Sequence, residues 1–206
     1  MINLNNVSKK FDNAAILKNV NLSVENGEFV IIKGESGRGK STLLNIMSLL
    51  EPPTSGAISF NGKTVETKAM IRKLKKEDIA YIYQNYGLIE NKTVFDNLTL
   101  PLNVSKKDKT LISKTVQSLG LSKEILSRKV FTCSGGEQQR IAIARTILKQ
   151  PSIIFADEPT GNLDKTNAED VIQIFKDLNR EGVTIVMATH DSDFFDIGTQ
   201  LIDLDK

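Results

Sequence analysis

The chain has 206 residues, 40% of them apolar, and its 27 Lys and Arg against 25 Asp and Glu leave a net charge of +2. That length suits one compact domain with a subdomain, and the apolar fraction is enough for a buried core. The charge balance lacks the concentrated basic excess of an obligate nucleic-acid binder, no run approaches the ~18 apolar residues of a spanning helix, and the single cysteine, Cys133, excludes an intrachain disulfide.

Taken from the N-terminus, the first ten residues are polar and alternating, without the apolar stretch of a secretion signal. Residues 2–7, 16–24 and 57–65, the last around the turn Asn61-Gly62, alternate as strands of an antiparallel flap. Residues 29–32 form a short apolar run rich in β-branched side chains, as do 153–156 and 183–188. Such runs suit strands buried on both faces of a parallel sheet. In open α/β sheets, ligands bind beyond the carboxyl ends of the strands. These runs end at Lys33-Gly34, at Asp157-Glu158 and at Thr189-His190. Residues 43–50 are apolar but interrupted by Asn45 and Ser48 and followed by Pro52-Pro53, so they read as a core helix. The basic run 68–76 reads as a solvated helix face. Between Tyr86 and Gln150 the pattern is mostly helical, with Pro101 as a break. The expected organisation is a single domain over 1–206. Residues 1–84 and 151–206 form its flap and sheet core, with a helical subdomain inserted at about 85–150.

Gly34-Glu35-Ser36-Gly37-Arg38-Gly39-Lys40-Ser41 matches G-x-x-x-x-G-K-[ST], between a strand and a helix. The glycines let the chain curl so that successive N–H groups point at phosphate oxygens. The helix that follows, including Thr42, adds the partial positive charge of its N-terminus. Lys40 reaches β- and γ-phosphates, and the Ser41 hydroxyl suits Mg²⁺. A GTPase would also need N-K-x-D, and Asn91-Lys92-Thr93-Val94 lacks the Asp. At the end of the second buried run, Asp157 suits a metal-holding carboxylate and Glu158 a base for the attacking water.

Cys133-Ser134-Gly135-Gly136-Glu137-Gln138-Gln139-Arg140 resembles the ABC-transporter signature, L-S-G-G-E-Q-Q-R in many members. Locally, Ser134 and Glu137 form a capping box that opens an amphipathic helix. The two glycines leave that helix N-terminus uncovered, where its N–H groups can meet phosphate. The resemblance extends over almost the whole chain. It implies the α/β P-loop NTPase fold of an ABC cassette: a parallel-sheet core, an antiparallel β flap and an inserted helical subdomain. It implies ATP and Mg²⁺ as cofactors and ATP hydrolysis by paired subunits.

In that family the signature of one cassette closes on the nucleotide held by the other. Ser134, Gly135 and Gly136 would then face the partner's γ-phosphate. Gln84 in Tyr81-Ile82-Tyr83-Gln84 resembles the Q-loop glutamine, which senses Mg²⁺ and water. Asp164 in Gly161-Asn162-Leu163-Asp164 resembles the D-loop aspartate, and His190, the only histidine, the switch histidine. Phe11 takes the place of the aromatic, usually Tyr, that stacks on adenine. Two residues depart from the pattern: Cys133 replaces Leu, and Arg38 replaces a small residue. Cys133 has two readings, a reactive thiol near a helix N-terminus or a packed apolar group. The usual Leu favours packing.

The resemblance also implies a membrane permease and a second ATPase subunit as partners, no nucleic acid, and a peripheral place on the cytoplasmic face of the membrane. Residues 84–97 would expose Tyr86, Leu88 and Ile89 to a permease helix. The end at Lys206 would leave out the regulatory tail of some importers. The string Asp157-Glu158-Pro159-Thr160-Gly161-Asn162-Leu163-Asp164 resembles most closely the macrolide-exporter, lipoprotein-release, cell-division and bacteriocin-export ATPases. This implies export of a peptide, antibiotic or lipoprotein-like substrate. The alternative is force or signal transmission without transport, as in the cell-division relatives. A soluble translation or repair ATPase fits less well. The chain has one cassette rather than two, and no sustained heptads separate Gly34 from Ser134.

Overall fold

The computed structural model describes residues 1–12, 14–101 and 108–205. Among the described residues, nine strands form two sheets. An antiparallel sheet, in the order β2-β1-β4-β5, joins β1 (Ile2–Phe11), β2 (Ala14–Val24), β4 (Ser55–Phe60) and β5 (Lys63–Thr64). A parallel sheet, in the order β6-β7-β8-β3-β9, joins β3 (Phe29–Lys33), β6 (Ile79–Ile82), β7 (Ile153–Asp157), β8 (Thr184–Ala188) and β9 (Gln200–Asp203). The α/β class and both sheet types match the expectation. The helices are α1 (Lys40–Met47), α2 (Lys68–Glu77), α3 (Val94–Thr99), α4 (Lys109–Ser118), α5 (Gly135–Lys149) and α6 (Lys165–Arg180). Part of the span read as helical, residues 102–107, lies outside the described residues.

The continuous apolar runs are explained by burial on both faces. In β3, Phe29 and Ile31 belong to one core cluster, and Val30 and Ile32 to the other. The same alternation sends Ile154 and Ala156 of β7 one way and Ile153 and Phe155 the other. Side chains on a strand point alternately to opposite faces, so a strand buried on both sides has no polar position. The first cluster packs the sheet against α3 to α6, and the second packs it against α1 and the antiparallel sheet. Each buried Ile, Val, Leu or Phe contributes about 1.5–3 kcal/mol by removal from water.

The helices follow their apolar faces. Asp164 caps α6, whose Ala168, Val171, Ile172 and Phe175 recur at helical spacing and are buried. The helix α2 has no buried residue and a basic last turn, as the solvated-face reading expects. The helix α1 ends at Met47, before the expected 50, because Leu49 turns left-handed at φ 61°.

Candidate functional site

Three parallel strands deliver the site residues to one rim. Beyond β3 the chain curls through Gly37 (φ 85°) and Gly39 (φ 93°) into α1. A Cβ on Gly39 would also stand 2.8 Å from Ile16 Cγ2, so any side chain there is excluded twice. No side chain caps α1, and its first turn carries no acid, which leaves its N-terminus to an anion.

A cleft of about 330 Å³ opens here. Ser36, Gly37, Gly39, Lys40, Ser41 and Thr42 form one wall, Phe11 and Ile16 a second, and Gln84, Glu158 and His190 a third. Phe11 is 45% exposed, so its ring is free of the core and open to the cleft. The Lys9 ammonium lies 5.0 Å from its ring centre.

Within the cleft the polar groups are already engaged with one another. Lys40 Nζ donates to the carbonyls of Gly34 (2.7 Å) and Glu35 (3.2 Å) and lies 3.5 Å from Glu158 Oε1. Glu158 Oε2 faces His190 Nδ1 at 2.9 Å and accepts from the His190 backbone N–H at 3.3 Å. An ionised carboxylate only accepts, so Nδ1 carries a proton in this contact. Glu158 itself holds a left-handed φ of 47°, and its N–H is bonded to Ala188 O on β8 at 2.9 Å. Strain of this kind clusters at functional sites.

The Ser41 hydroxyl donates to Asp157 Oδ1 at 3.0 Å, and Tyr81 Oη approaches Asp157 Oδ2 at 3.5 Å while bonding Asn45 Oδ1 at 2.8 Å. Burial raises the Asp157 carboxyl above its ordinary range, opposed by the Ser41 hydrogen bond. The Tyr81–Asn45 support was not legible in the sequence, because β6 and α1 meet only in three dimensions.

Glu35 and Arg38 turn away from this cleft. The Glu35 N–H and Arg38 Nε both reach Asp205 Oδ1, each at 3.2 Å. Neither residue lines the cleft in this structure, because the chain beyond β9 comes to lie beside the loop.

Ser134, Gly135, Gly136 and Asp164 do not line the cleft of their own chain. Ser134 caps α5, and its capping box with Glu137 is closed in both directions, at 3.2 and 2.7 Å. Asn167 links the two motifs. It donates to Asp164 Oδ2 at 2.6 Å and accepts from Arg140 Nη2 at 2.7 Å. The Asn167 donors hold the Asp164 carboxyl below its usual range.

Cys133 is 7% exposed, belongs to the core cluster, and has its thiol pushed up by burial. A packed thiol makes little thiolate. Cys133→Leu is therefore expected to keep ATPase activity within about twofold, since hydrophobic swaps of this kind are tolerated when the core can absorb them. Maleimide should label the native chain at least about tenfold more slowly than the denatured one. Equal rates, or activity lost with labelling, would point to a reactive site.

A second recess, of about 400 Å³, lies between β6 and α5. Tyr83 and Leu100, exposed by 40% and 58%, line it. Leu88, expected to be open, packs partly on the core, and Tyr86 is half-buried. Arg145 Nη2 and Nη1 draw in the Tyr86 and Gly87 carbonyls at 3.0 and 2.7 Å, which turns the segment inward. Of the expected trio only Ile89 is exposed.

Residues 17–161 match the family model for the ABC transporter. The lipoprotein-releasing system ATP-binding protein LolD of Aquifex aeolicus is 39% identical, over 97% of this chain and 91% of that one. The macrolide export ATP-binding/permease protein MacB of Bdellovibrio bacteriovorus is 37% identical, over 99% of this chain and 32% of that one. The ATP-binding cassette MJ0796, solved as a dimer bound to ADP and Pi, superposes with a TM-score of 0.88 at 34% identity, over 98% of this chain and 94% of that one. No described helix is long and apolar enough to cross a membrane. The loop before α1, the carboxylates ending β7 and the histidine after β8 thus stand in an ABC cassette, and the chain belongs to the ABC transporter family as an ATP-binding subunit with ATPase function.

Proposed function

We propose that Lys40, Ser41, Asp157, Glu158, His190 and Gln84 bind and hydrolyse ATP in this cleft. Two copies close head to tail, and the closure drives a separate membrane permease from the cytoplasmic face. The observation that carries this is the convergence of Lys40, Glu158 and His190 within hydrogen-bond or ion-pair reach in the cleft. ATP draws Lys40 away from the Gly34 and Glu35 carbonyls onto its β- and γ-phosphates. Phe11 stacks on the adenine. Glu158 takes the proton of a water as the water oxygen bonds the γ-phosphorus and the bond to the bridging oxygen breaks. His190 orients Glu158 through Nδ1, and a proton on Nε2 lets the ring donate to a phosphoryl oxygen.

The adjacent oxygens of Ser41 and Asp157 fit Mg²⁺, which is held by one or two protein oxygens plus substrate phosphates rather than by an all-protein cage. Among the described residues no group of three or more His, Cys, Asp or Glu forms such a cage. When bound, the ion neutralises charge on the phosphates. Gln84 lies at the cleft to meet the ion or the water.

The names of LolD and MacB support export of a lipoprotein-like or antibiotic substrate. The recess beside Leu100 is the surface for the permease, since exposed apolar residues grouped in a recess suit a docking site. Leu100→Asp is expected to lower co-purification with the permease at least about tenfold, as desolvating a charge in an interface costs more than 1.4 kcal/mol. The isolated variant should still bind ATP. Unchanged co-purification would remove the recess from the interface.

A further inference from the structure

The crest of the loop from Gly34 to Gly39 is weakly held. A Cβ on Gly37 would meet nothing within 4 Å, and the Arg38 side chain is 54% exposed. Within the loop, the Arg38 N–H donates to the Glu35 carbonyl at 3.3 Å, and Arg38 Nη2 lies 3.9 Å from Glu35 Oε2. From α1, Lys40 ties the Gly34 and Glu35 carbonyls, and these are the bonds that ATP takes away in the reading above. Among the described residues, the one side chain from outside the loop and α1 that bonds residues 34–39 is Asp205. Its Oδ1 accepts from the Glu35 N–H and from Arg38 Nε, each at 3.2 Å, so a single oxygen grips both ends of the stretch 35–38. Asp205 is itself held in place by the register of β3 with β9. Lys33 stands opposite Asp203 and meets its Oδ2 at 3.1 Å. The Leu204 N–H donates to the Lys33 carbonyl at 3.1 Å, and the Asp205 N–H donates to Asp203 Oδ1 at 3.1 Å. A Cβ on Gly34 would stand 3.3 Å from Leu204 Cβ, so the two segments touch where the loop begins.

We propose that Asp205 is a positioning residue for ATP: its grip on Glu35 and Arg38 keeps the loop curled once Lys40 has moved to the phosphates. The inference rests on the reading that ATP binds in this cleft. A loop that is curled only part of the time binds more weakly, in proportion to the fraction of time it is curled. Asp205 does not line the cleft, so it acts through the loop alone. Its effect therefore falls on the affinity for ATP and not on proton transfer at Glu158. The two arms differ in strength. The ion pair with Arg38 is open to solvent, at 54% and 37% exposure, and such pairs contribute little. The Glu35 N–H gives the stronger arm, a backbone donor on a charged acceptor. Arg38 stands where the family pattern has a small residue, so the weaker arm is no part of that pattern.

The test measures equilibrium binding of a fluorescent ATP analogue to the purified full chain. Asp205→Ala is expected to weaken binding about threefold to tenfold, the scale of one or two lost hydrogen bonds. In the permease complex, KM for ATP should rise by a similar factor while kcat stays within about twofold, the pattern of lost binding rather than lost chemistry. Arg38→Ser should cost about twofold, and adding it to Asp205→Ala should cost nothing further, because both remove the same contact. Asp205→Asn, whose amide oxygen can still accept from the Glu35 N–H, should lie between the native chain and Asp205→Ala. Hydrogen–deuterium exchange at residues 35–39 should quicken in Asp205→Ala while β7 and β8 exchange at the native rate, as local loosening requires. Unchanged affinity in Asp205→Ala, a loss carried by kcat alone, or exchange quickened throughout the fold overturns the positioning role. Lys40→Met separates this from the site reading. Native affinity in Lys40→Met would place ATP elsewhere and overturn the cleft reading together with this proposal. Binding lost in Lys40→Met but untouched in Asp205→Ala overturns the role of Asp205 alone.

Discussion

Glu158→Gln is expected to bind ATP within a few-fold of the native chain and to hydrolyse it about 10²–10⁴-fold more slowly, the usual contribution of a positioned general base. The amide keeps the size and the contact to His190 but cannot take a proton. Fold should survive, because the bond from the Glu158 N–H to Ala188 O belongs to the backbone. Single-turnover hydrolysis in the permease complex, beside equilibrium binding of a fluorescent nucleotide, separates the two effects. Turnover within threefold of native would assign the base elsewhere. A loss of binding equal to the loss of turnover would make Glu158 a structural partner of Lys40, which lies 3.5 Å away.

The same variant, with ATP and Mg²⁺, is expected to double in mass from 22.8 kDa in sedimentation or light scattering. One chain's cleft lacks Ser134 and Gly136, and the related cassette MJ0796 is seen as a dimer. In the closure proposed above, Ser134 and the N–H groups of Gly135 and Gly136 at the start of α5 would meet the phosphate held by the other copy. Ser134→Glu, added to Glu158→Gln, puts a carboxylate against that phosphate and should weaken the dimer at least about 100-fold, since like charges facing each other across an interface cost several kcal/mol. ATP binding to the separate chain should persist. A dimer that tolerates Ser134→Glu would place the signature outside the interface, and a mass that ignores ATP would remove the shared site.

The parts of this molecule that could be read from the sequence are those whose physics is local. The strands β3, β7 and β8 announce themselves because burial on both faces leaves no room for polar residues. The loop from Gly34 to Ser41 is legible because its glycines and lysine are consecutive. The capping box at Ser134 lies within four residues. The edge strand β9 went unread: its Gln200, Leu201, Ile202 and Asp203 are half-exposed or exposed, so neither alternation nor an apolar run marks it. Arg145 could be placed on a helix, but nothing nearby in sequence says that it holds the Tyr86 and Gly87 carbonyls. For the same reason Leu88 was expected outward, while the clamp turns it in. The contacts of Glu35 and Arg38 with Asp205 join residues at opposite ends of the chain.

The Arg145 clamp has a mechanical consequence. It fastens the first turn of chain after β6 to the helix that carries the signature, so Tyr86 and Gly87 travel with α5 as one lever. Any swing of that lever against the parallel sheet must be absorbed by backbone torsions on either side of it. On the way out these are Gln84 and Asn85, between the edge strand and the clamp. On the way back they are Gln150, already left-handed at φ 56°, and Pro151. Gln84 thus lines the ATP cleft and stands in the two-residue stretch that separates β6 from the clamp's first carbonyl, so a turn of α5 against the sheet would twist the backbone at the cleft wall.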